Sequence, residues 1–508
     1  MLAKLKSYAL DGLMGYSVEV EIDINNGLPG YELVGLASTA TKESKERVRS
    51  AIKNSGYFYS TKRITVNLAP ADTKKEGPSF DLPIALGLLV ASNQVEGRKY
   101  KDYVFVGELS LDGQLRHVNG IMPILISAMQ NGEKKFVIPK DNEKEASYIE
   151  GIEVYALENL RQVVDFLQGE EIAPVATSSY QSAAQTHGYG IDFADVKGQA
   201  VAKRALEIAV AGGHNVLMIG PPGTGKTMLA KCVPTIMPDM TFKEAVDVTK
   251  VHSVAGVLDS SVGIVTTRPF RTPHHTTTVP ALIGGGTKAK PGEVSLANHG
   301  VLFLDEMPEY SRHTLETLRQ PIEDRKVTVS RVAQNVEYPA NFMLIASMTP
   351  CPCGNFGSKT QICRCTPQQI HNYVSKLSGP LMDRIDLQIE VDNISYDELR
   401  TKAEAESSAV IKARINAVRD IQRKRFADEG ILTNAEMSAA QINKYCKIDK
   451  DSERLLQKAF DRLNLSARGT TRILKVARTI ADMDGSAEIK PQHIAEAIQY
   501  RGLDRKYH

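Results

Sequence analysis

Strand-like and helix-like runs alternate along the first third of the chain. The segment RITVNLAP, residues 63–70, has the composition of a strand that ends at Pro70. Residues 41–56 have the pattern of a helix, with Val48 and Ile52 on one face and Gly56 as the stop signal. The apolar run DLPIALGLLVAS predicts a second helix. We therefore expect an α/β domain over residues 1–170.

The pattern then changes twice. Residues 171–190 are rich in Ser, Ala, Thr and Gln without an apolar period, which is typical of a linker. The α/β pattern resumes over residues 191–392, and helical patterns follow one another over residues 393–508. In the last region, one helical face carries apolar residues at i, i+3, i+4 and i+7, namely Ile473, Val476, Ala477 and Ile480. We expect an α/β core followed by a helical lid.

Composition adds limits on the class of protein. The chain has 508 residues, of which 42% are hydrophobic and 24% charged, and its net charge is +2. Nucleic-acid binding would therefore depend on local basic patches. The sequence has neither the apolar run of a membrane helix nor a signal peptide at its start, so we expect no membrane association and a cytoplasmic location. In that reducing compartment, clustered cysteines more often bind metal or act in catalysis than form disulfides.

A complete phosphate-loop motif, GPPGTGKT, follows the apolar strand NVLMI and precedes the helical run MLAKCV. This order of strand, loop and helix is the context that the motif requires. Lys226 is expected to reach the β- and γ-phosphates of ATP, and Thr227 to hold Mg²⁺. The predicted nucleotide-binding residues are Gly220, Pro221, Pro222, Gly223, Thr224, Gly225, Lys226 and Thr227.

The segment GVLFLDE predicts the second half of the nucleotide site. Residues 301–304 are apolar and form a buried parallel strand that ends at Asp305 and Glu306. At that end of the strand Asp305 would support Mg²⁺. Glu306 is then placed to polarise the water that attacks the phosphate.

Four cysteines lie within fifteen residues, as C-x-C, nine residues and C-x-C. The four are Cys351, Cys353, Cys363 and Cys365. Four thiolates on a short loop suit tetrahedral Zn²⁺, although the C-x-C spacing is tighter than usual. A [4Fe–4S] cluster and reduced, partly buried thiols are the alternatives. The loop follows the strand NFMLIASM and leads towards Arg384, so a bound zinc would stiffen the segment between them.

Longer motifs carry a resemblance to a known family. The segments RPFRTPHHTTTVPALIGGG, GEVSLANHGVLFLDEMPE, TPCPCGNFG and LSGPLMDRIDL follow NVLMIGPPGTGKT in this order. The chain in this respect resembles the Mg-chelatase-like AAA+ ATPases called ComM or YifB, over nearly its whole length. The resemblance implies a homo-hexameric helicase that uses ATP to migrate DNA branches during recombination of imported DNA.

The resemblance also implies roles for individual residues. Arg384 in LMDRIDL matches the arginine finger, which reaches the γ-phosphate held by the neighbouring subunit. Arg468 matches the sensor-2 arginine of the lid, and Arg472 is the alternative. Thr349 stands where the family usually has the sensor-1 asparagine, and its single hydroxyl donor predicts a weaker sensor.

The N-terminal segments EGPSFDLPIALGLL and VGELSLDGQLRHVNG resemble the Lon protease domain, an S5-like fold. Ser79 matches the nucleophile position of that protease, but Met122 stands where its lysine base is expected. A Ser-Lys dyad needs that base. We therefore expect a domain without peptidase activity that serves in docking or in DNA handling.

Basic residues suggest where DNA would bind. The segment DRKVTVSR predicts one arm of a β-hairpin, and helicase-type relatives line their pore with such hairpins. The expected phosphate contacts are Lys288, Lys290, Arg325, Lys326 and Arg331. Further basic residues on a C-terminal helix are Arg414, Arg419, Arg423, Lys424 and Arg425. A chelatase motor that drives Mg²⁺ insertion into a porphyrin, and a protein remodeller, are the alternative functions.

Overall fold

A computed structural model of the chain describes residues 2–38, 41, 43–73, 75, 77–95, 99–181, 190–286, 289–330, 335–358, 361–394, 405–463 and 465–501. The strands are β1 (Leu2–Asp11), β2 (Met14–Asn25), β3 (Gly30–Val34), β4 (Arg63–Ala69), β5 (Val104–Phe105), β6 (Glu108–Leu109), β7 (Leu115–Arg116), β8 (Lys135–Pro139), β9 (Glu153–Leu157), β10 (Val216–Ile219), β11 (Phe270–Arg271), β12 (Gly284–Gly285), β13 (Lys290–Pro291), β14 (Val301–Leu304), β15 (Lys326–Ser330), β16 (Asn335–Pro339), β17 (Met343–Met348) and β18 (Leu387–Glu390).

The α-helices are α1 (Ser44–Asn54), α2 (Asp81–Ala91), α3 (Ile121–Gln130), α4 (Glu143–Ala146), α5 (Leu160–Gln168), α6 (Ala200–Gly212), α7 (Lys226–Ile236), α8 (Phe242–Ala255), α9 (Val279–Ile283), α10 (Glu293–Leu296), α11 (Arg312–Glu316), α12 (Arg319–Asp324), α13 (Pro367–Val374), α14 (Gly379–Met382), α15 (Ser408–Arg425), α16 (Ala439–Tyr445), α17 (Lys450–Leu463), α18 (Ala467–Met483) and α19 (Pro491–Gln499). Among the residues placed by the structure, no helix is both long and apolar enough to cross a membrane.

The chain forms two compact units. The first contains Met1–Thr186 together with Phe242–Thr266, and the second contains His187–Thr241 and Thr267–His508. The chain therefore passes between the units at three points along its sequence. The domain boundaries expected from the sequence remain a prediction.

The first unit is built on a seven-stranded sheet with the order β3-β4-β2-β1-β5-β8-β9. β1 and β2 form a long antiparallel pair from Leu2 opposite Asp23 to Asp11 opposite Met14. The helix α2 is buried along its whole length, as its continuous apolar sequence predicts. After α5 the chain has no strand up to residue 179, and there Val175 and Ser178 donate backbone hydrogen bonds to Val154 and Ser147.

Helix α8 and the loop that follows it complete the first unit, although they lie between two parts of the second unit in sequence. The Ser253 hydroxyl accepts a hydrogen bond from the Gly120 N–H at the start of α3 and donates one to the carboxylate of Glu145. That carboxylate also accepts the N–H of Met122, at 2.9 Å. Ser253 and Glu145 thus satisfy donors that the first turn of α3 leaves unpaired. Met122, whose side chain is buried, lies in this turn.

The second unit has a five-stranded parallel sheet with the order β11-β14-β17-β10-β18. All four residues of β10 and all four of β14 are buried, as expected for parallel strands covered on both faces. Helices α15 and α18 pack on α6, and one continuous apolar core joins the sheet to the C-terminal helices. The predicted mixed α/β fold with a helical C-terminal region is confirmed, as is the β-hairpin, which pairs β15 with β16.

Candidate nucleotide site

The phosphate loop connects β10 to α7 at the carboxyl end of the central strands. Gly223 and Gly225 have φ angles of 79° and 87°, a left-handed backbone that glycine adopts without steric cost. Gly220 is required for another reason, since a Cβ there would lie 2.1 Å from the carbonyl oxygen of Val391. The glycines of the motif therefore fix both the curl of the loop and its close approach to the segment after β18.

Lys226, the first residue of α7, turns back into this loop. Its Nζ donates to the carbonyl oxygens of Gly220 and Pro221 at 2.8 and 2.7 Å. Burial lowers the pKa of Lys226, and the carboxylates of Asp305 and Glu306 oppose that shift. The cation is thus held by neutral oxygens, which it can exchange for the oxygens of a phosphate.

Residues from three elements meet beside Lys226. The Thr227 hydroxyl of α7 donates to Oδ2 of Asp305 at 3.0 Å. The Ser347 hydroxyl of β17 donates to the other oxygen of Asp305 and accepts the N–H of Glu306 at 3.1 Å. A hydroxyl and a carboxylate are oxygen ligands that Mg²⁺ prefers, so the donor set fits that ion. Glu306 follows with an exposed side chain and a φ of 51°.

Thr349 lies directly after β17, and its hydroxyl already takes part in two hydrogen bonds. Its hydroxyl donates to the carbonyl oxygen of Cys351 at 3.0 Å and lies 2.9 Å from the hydroxyl of Tyr373. Since a threonine has one donor hydrogen, Tyr373 must donate in the second contact. Thr349 can accept a further hydrogen bond, but it can donate to a phosphate only by releasing Cys351.

The four predicted cysteines come together. All their Sγ atoms lie within 4.8 Å of one another, so the cluster could hold a metal ion. The Sγ atoms of Cys351 and Cys353 are 3.4 Å apart. Backbone N–H groups, first that of Arg364 and then that of Asn355, lower the pKa of Cys353 to about 6. Such donors favour the thiolate of Cys353, the form that binds metals, whereas burial raises the pKa of Cys365.

The cysteine loop also lies against the phosphate loop. Gly354 has a φ of 79°, and a Cβ on it would lie 2.7 Å from Cδ of Pro222. Gly354 donates its N–H to the carbonyl oxygen of Cys351 at 2.9 Å, which sets the local turn. The cluster is therefore joined to the nucleotide site twice, through Thr349 and through Pro222.

The three arginines singled out in the sequence have different environments. Arg384 is 4% exposed and forms an ion pair of 2.6 Å with Glu323. Arg472 donates to the buried carboxylate of Asp386 at 2.6 Å. Arg468 is exposed and has no ion-pair partner in the part of the chain that the structure describes. Because Arg472 is committed to Asp386, Arg468 is the freer of the two sensor-2 candidates.

The basic residues expected to contact DNA are placed in part. Lys326 is exposed on β15 and pairs across the hairpin with Glu337 at 2.8 Å. Arg325 is partly buried and pairs with Glu436 at 2.6 Å. Lys290 is exposed on β13. Lys288 and Arg331 lie outside the described residues.

Sequence reasoning missed residues that take part in this arrangement, notably Ser347, Tyr373 and Gly354. Ser347 left a signal, because it is a polar residue in the apolar strand MLIASM, two positions before Thr349 and therefore on the same face. Tyr373 left none, since its contact with Thr349 spans 24 residues. Glu323, the partner of Arg384, was also missed.

Comparisons with known proteins cover almost the whole chain. Residues 20–142 match the family described as subunit ChlI of Mg-chelatase, residues 192–399 match magnesium chelatase, subunit ChlI, and residues 405–501 match its C-terminal family. The chain is 44% identical to the competence protein ComM of Haemophilus influenzae, over 99% of this chain and 98% of that protein. It is also 44% identical to YifB of Escherichia coli, over 97% and 96% of the two chains.

A third relative is similar over a shorter stretch. The chain is 26% identical to the Lon protease of Finegoldia magna over 164 residues, which is 30% of this chain and 21% of that protease. This similarity agrees with the Lon-like fold expected for the N-terminal region.

Proposed function

The chain belongs to the ComM/YifB family of magnesium-chelatase-like AAA+ ATPases, and from that membership we propose that it is an ATP-driven, homo-hexameric motor that migrates branched DNA. The observation that carries the proposal is the hydrogen-bonded set of Thr227, Asp305 and Ser347 beside Lys226. It offers a cation, a hydroxyl and a carboxylate at the place where the β- and γ-phosphates of ATP would lie.

Each residue of the nucleotide site has a proposed role. Lys226 binds the β- and γ-phosphates, and Thr227 with Asp305 would hold Mg²⁺, which neutralises charge on the phosphates when bound. Glu306 orients and polarises the attacking water. Thr349 senses the γ-phosphate through a hydroxyl whose hydrogen already serves Cys351, and Arg468 contacts the nucleotide from the lid.

The site would be completed by a second copy of the chain. We propose that Arg384 acts as the arginine finger on the γ-phosphate held by the adjacent subunit, which requires a closed ring. The family resemblance supplies both this assignment and the proposed number of six subunits.

We propose that DNA contacts the two exposed hairpins. Basic residues have partners within the chain both on α15, where Arg414 pairs with Glu207 at 2.7 Å, and on the hairpin, where Lys326 pairs with Glu337 at 2.8 Å, so the assignment rests on the likeness to pore hairpins. Lys290 and Lys326 are exposed on β13 and β15. With Lys288, Arg325 and Arg331, they form the basic loops proposed to bind the phosphates of single-stranded or branched DNA.

A fluorescent three-strand junction with Mg²⁺ and ATP tests the motor. Wild-type protein should assemble, hydrolyse ATP and resolve the junction. Reversing the charges of Lys288, Lys290 and Lys326 together should weaken DNA binding, reduce its salt dependence and stop branch movement while basal ATPase persists. The matched control reverses three exposed lysines of the first unit, Lys101, Lys134 and Lys140.

The same assay distinguishes the alternatives. Protein that assembles and hydrolyses ATP but neither binds nor resolves any branched or single-stranded DNA would rule out the DNA motor. ATPase stimulation by an unfolded protein would then indicate a remodeller, and stimulation by a porphyrin-loaded partner would indicate a chelatase motor. One relative is a competence protein by name, and we extend recombination of imported DNA to this chain on that basis.

We also propose that the cysteine cluster binds a structural Zn²⁺ and that the protein works in the cytoplasm, where its thiols stay reduced. Four thiolates match the ligand number and type of a closed zinc site. Elemental analysis of protein purified without chelators should find close to one zinc per chain. Less than about a tenth of that amount would reject the site, because a four-thiolate centre retains its metal.

A further inference from the structure

Arg384 is held inside its own chain. Its guanidinium donates to the carbonyl oxygen of Pro380 at 2.6 Å and pairs with Glu323, also at 2.6 Å. Its Nε is buried and has no hydrogen-bond partner among the described residues. A side chain in this position cannot reach a nucleotide on another subunit until it leaves both partners.

Glu323 lies between Arg384, the hairpin that begins with β15, and the C-terminal helical region. It belongs to the short helix α12, which runs through Arg325 directly into the hairpin strand β15. Arg325 has a φ of 55° and is anchored to Glu436 of the C-terminal helical region at 2.6 Å. Because Glu323 lies three residues before Lys326, a displacement of the hairpin large enough to break the Arg325–Glu436 ion pair would also move Glu323.

The Glu323 carboxylate borders a polar cavity into which it could turn after leaving Arg384. This cavity of about 190 Å³ is bordered by Glu323, Arg325, Asp386 and Arg472, among others. The pKa of Arg472 is raised first by Asp386 and, more weakly, by Glu323. The carboxylate can therefore turn away from Arg384 and still face cations.

We propose that Glu323 is a positioning residue that keeps Arg384 withdrawn, and that DNA on the hairpin frees the arginine by moving Glu323. This inference rests on the proposed role of Arg384 as a finger in trans. Once Glu323 has moved, Arg384 is a buried charge without a counter-ion, which is a costly state. An anionic γ-phosphate on the adjacent subunit then becomes the better partner. The rate of ATP hydrolysis would in this way increase when DNA binds to the hairpin.

The test measures the ATPase of full-length Glu323→Gln protein with and without a single-stranded oligonucleotide. Without DNA, the kcat should rise by about 2- to 5-fold, the range expected for loss of a partly exposed ion pair. Stimulation by DNA should fall by the same factor, and the KM for ATP should not change. Glu143→Gln removes an exposed ion pair of similar length, with Lys140 at 2.8 Å, and should behave as wild type.

A double variant shows whether the gain passes through the finger. Glu323→Gln combined with Arg384→Ala should be as slow as Arg384→Ala alone. If the double variant keeps the raised rate, or if Glu323→Gln hydrolyses ATP no faster than wild type without DNA, Glu323 does not restrain Arg384. Glu323→Asp keeps the charge on a shorter side chain and should show a smaller rise. It decides the question if Glu323→Gln unfolds.

Failure of the proposed function would look different. If Arg384→Ala rings hydrolyse ATP at the wild-type rate, the trans finger is wrong and the role of Glu323 falls with it. If DNA does not stimulate the wild type, the DNA trigger is wrong, and the basal rate of Glu323→Gln alone then decides whether the restraint exists.

Discussion

The two ends of the five-stranded parallel sheet hold their charged groups in opposite ways. At the carboxyl ends of the strands, Lys226 is held by carbonyl oxygens and Asp305 by hydroxyl groups. At the amino ends, Asp386 pairs with Arg472, and Arg384 pairs with Glu323. One end therefore binds charges with neutral partners, and the other binds them with opposite charges.

The difference shows which end is prepared for a ligand. A hydrogen bond between a charged group and a neutral partner contributes about 1.5–3 kcal/mol net, and it can be exchanged for a phosphate or metal contact. Removing one partner of a buried ion pair such as Asp386–Arg472 costs about 3–5 kcal/mol, whereas the Arg384–Glu323 pair is weaker because Glu323 is partly exposed. The charged side chains at the carboxyl end can thus exchange their neutral partners for a nucleotide. Those at the amino end stabilise the fold, or must first break an ion pair before they can bind anything else.

Removing the cation at the ligand end should have the largest effect. Lys226→Ala should abolish ATP binding, with a Kd weaker than about 1 mM in a fluorescent-nucleotide titration, equivalent to a binding free energy above about −4 kcal/mol. Lys231→Ala changes an exposed lysine of the same helix and should bind as wild type. Tight binding by Lys226→Ala would contradict the assignment of the phosphate site.

Removing the held arginine should affect catalysis rather than binding. Arg384→Ala should bind ATP normally and hydrolyse it slower by a factor on the order of 10³, because the finger stabilises charge in the transition state. Mixing Arg384→Ala with Lys226→Ala protein should restore some ATPase activity, since some interfaces then pair an intact loop with an intact finger. No recovery at any ratio, in rings shown to be mixed, would contradict action in trans.

Breaking the other ion pair should affect stability. Asp386→Asn leaves Arg472 buried without its counter-ion and should lower the free energy of unfolding by about 3–5 kcal/mol. Burial alone would raise the pKa of Asp386, but Arg472 and His214 lower it overall. The carboxylate therefore stabilises the fold above about pH 4, its unfolded pKa, and this stabilisation is lost as pH falls towards the lower folded value.

Denaturant titrations check both parts of this prediction. The difference between wild type and Asp386→Asn should be full at pH 7 and should shrink as pH falls below about 4. A difference that stays constant down to pH 2 would show that the charge of Asp386 contributes nothing.

The smallest expected effect concerns the junction of the cysteine loop with the phosphate loop. Gly354→Ala places a methyl group against Pro222 in a left-handed backbone, which by itself costs about 1–2 kcal/mol. Gly430→Ala has the same backbone cost, with a φ of 69°, but nothing lies within 4 Å of its Cβ. Both should lose the backbone contribution, Gly354→Ala should lose more because its methyl group also displaces Pro222, and only Gly354→Ala should raise the KM for ATP.

The arrangement of residues at the carboxyl end of the five-stranded sheet could be predicted from the sequence, whereas the ion pairs at its amino end could not. The phosphate loop is a local motif whose geometry depends on its own glycines, so GPPGTGKT between a strand and a helix predicts it directly. The Thr227–Asp305 contact follows because parallel strands end at one edge. The four cysteines were brought together as their spacing suggests, although their metal remains a proposal.

The pairing of Arg384 could not be predicted in this way. Glu323 is far from it in sequence and lies on a six-residue helix with no distinctive motif. Whether an arginine is free or buried depends on how distant elements pack, and a motif carries no information about that. The docking of α8 in the first unit was missed for the same reason, because its partners, Gly120 and Glu145, are more than a hundred residues away.

Helix α8 has a consequence for how this gene can change. Residues 1–186 do not form the whole of the first unit, because the Gly120 N–H at the start of α3 donates to the hydroxyl of Ser253. A truncated chain that ends before the phosphate loop would lack helix α8, which packs on the first unit. A chain that starts at the phosphate loop would contain α8 without the residues against which its buried side, with Val248 and Val251, packs. Any rearrangement that separates residues 1–186 from residues 242–266 would therefore divide the first unit.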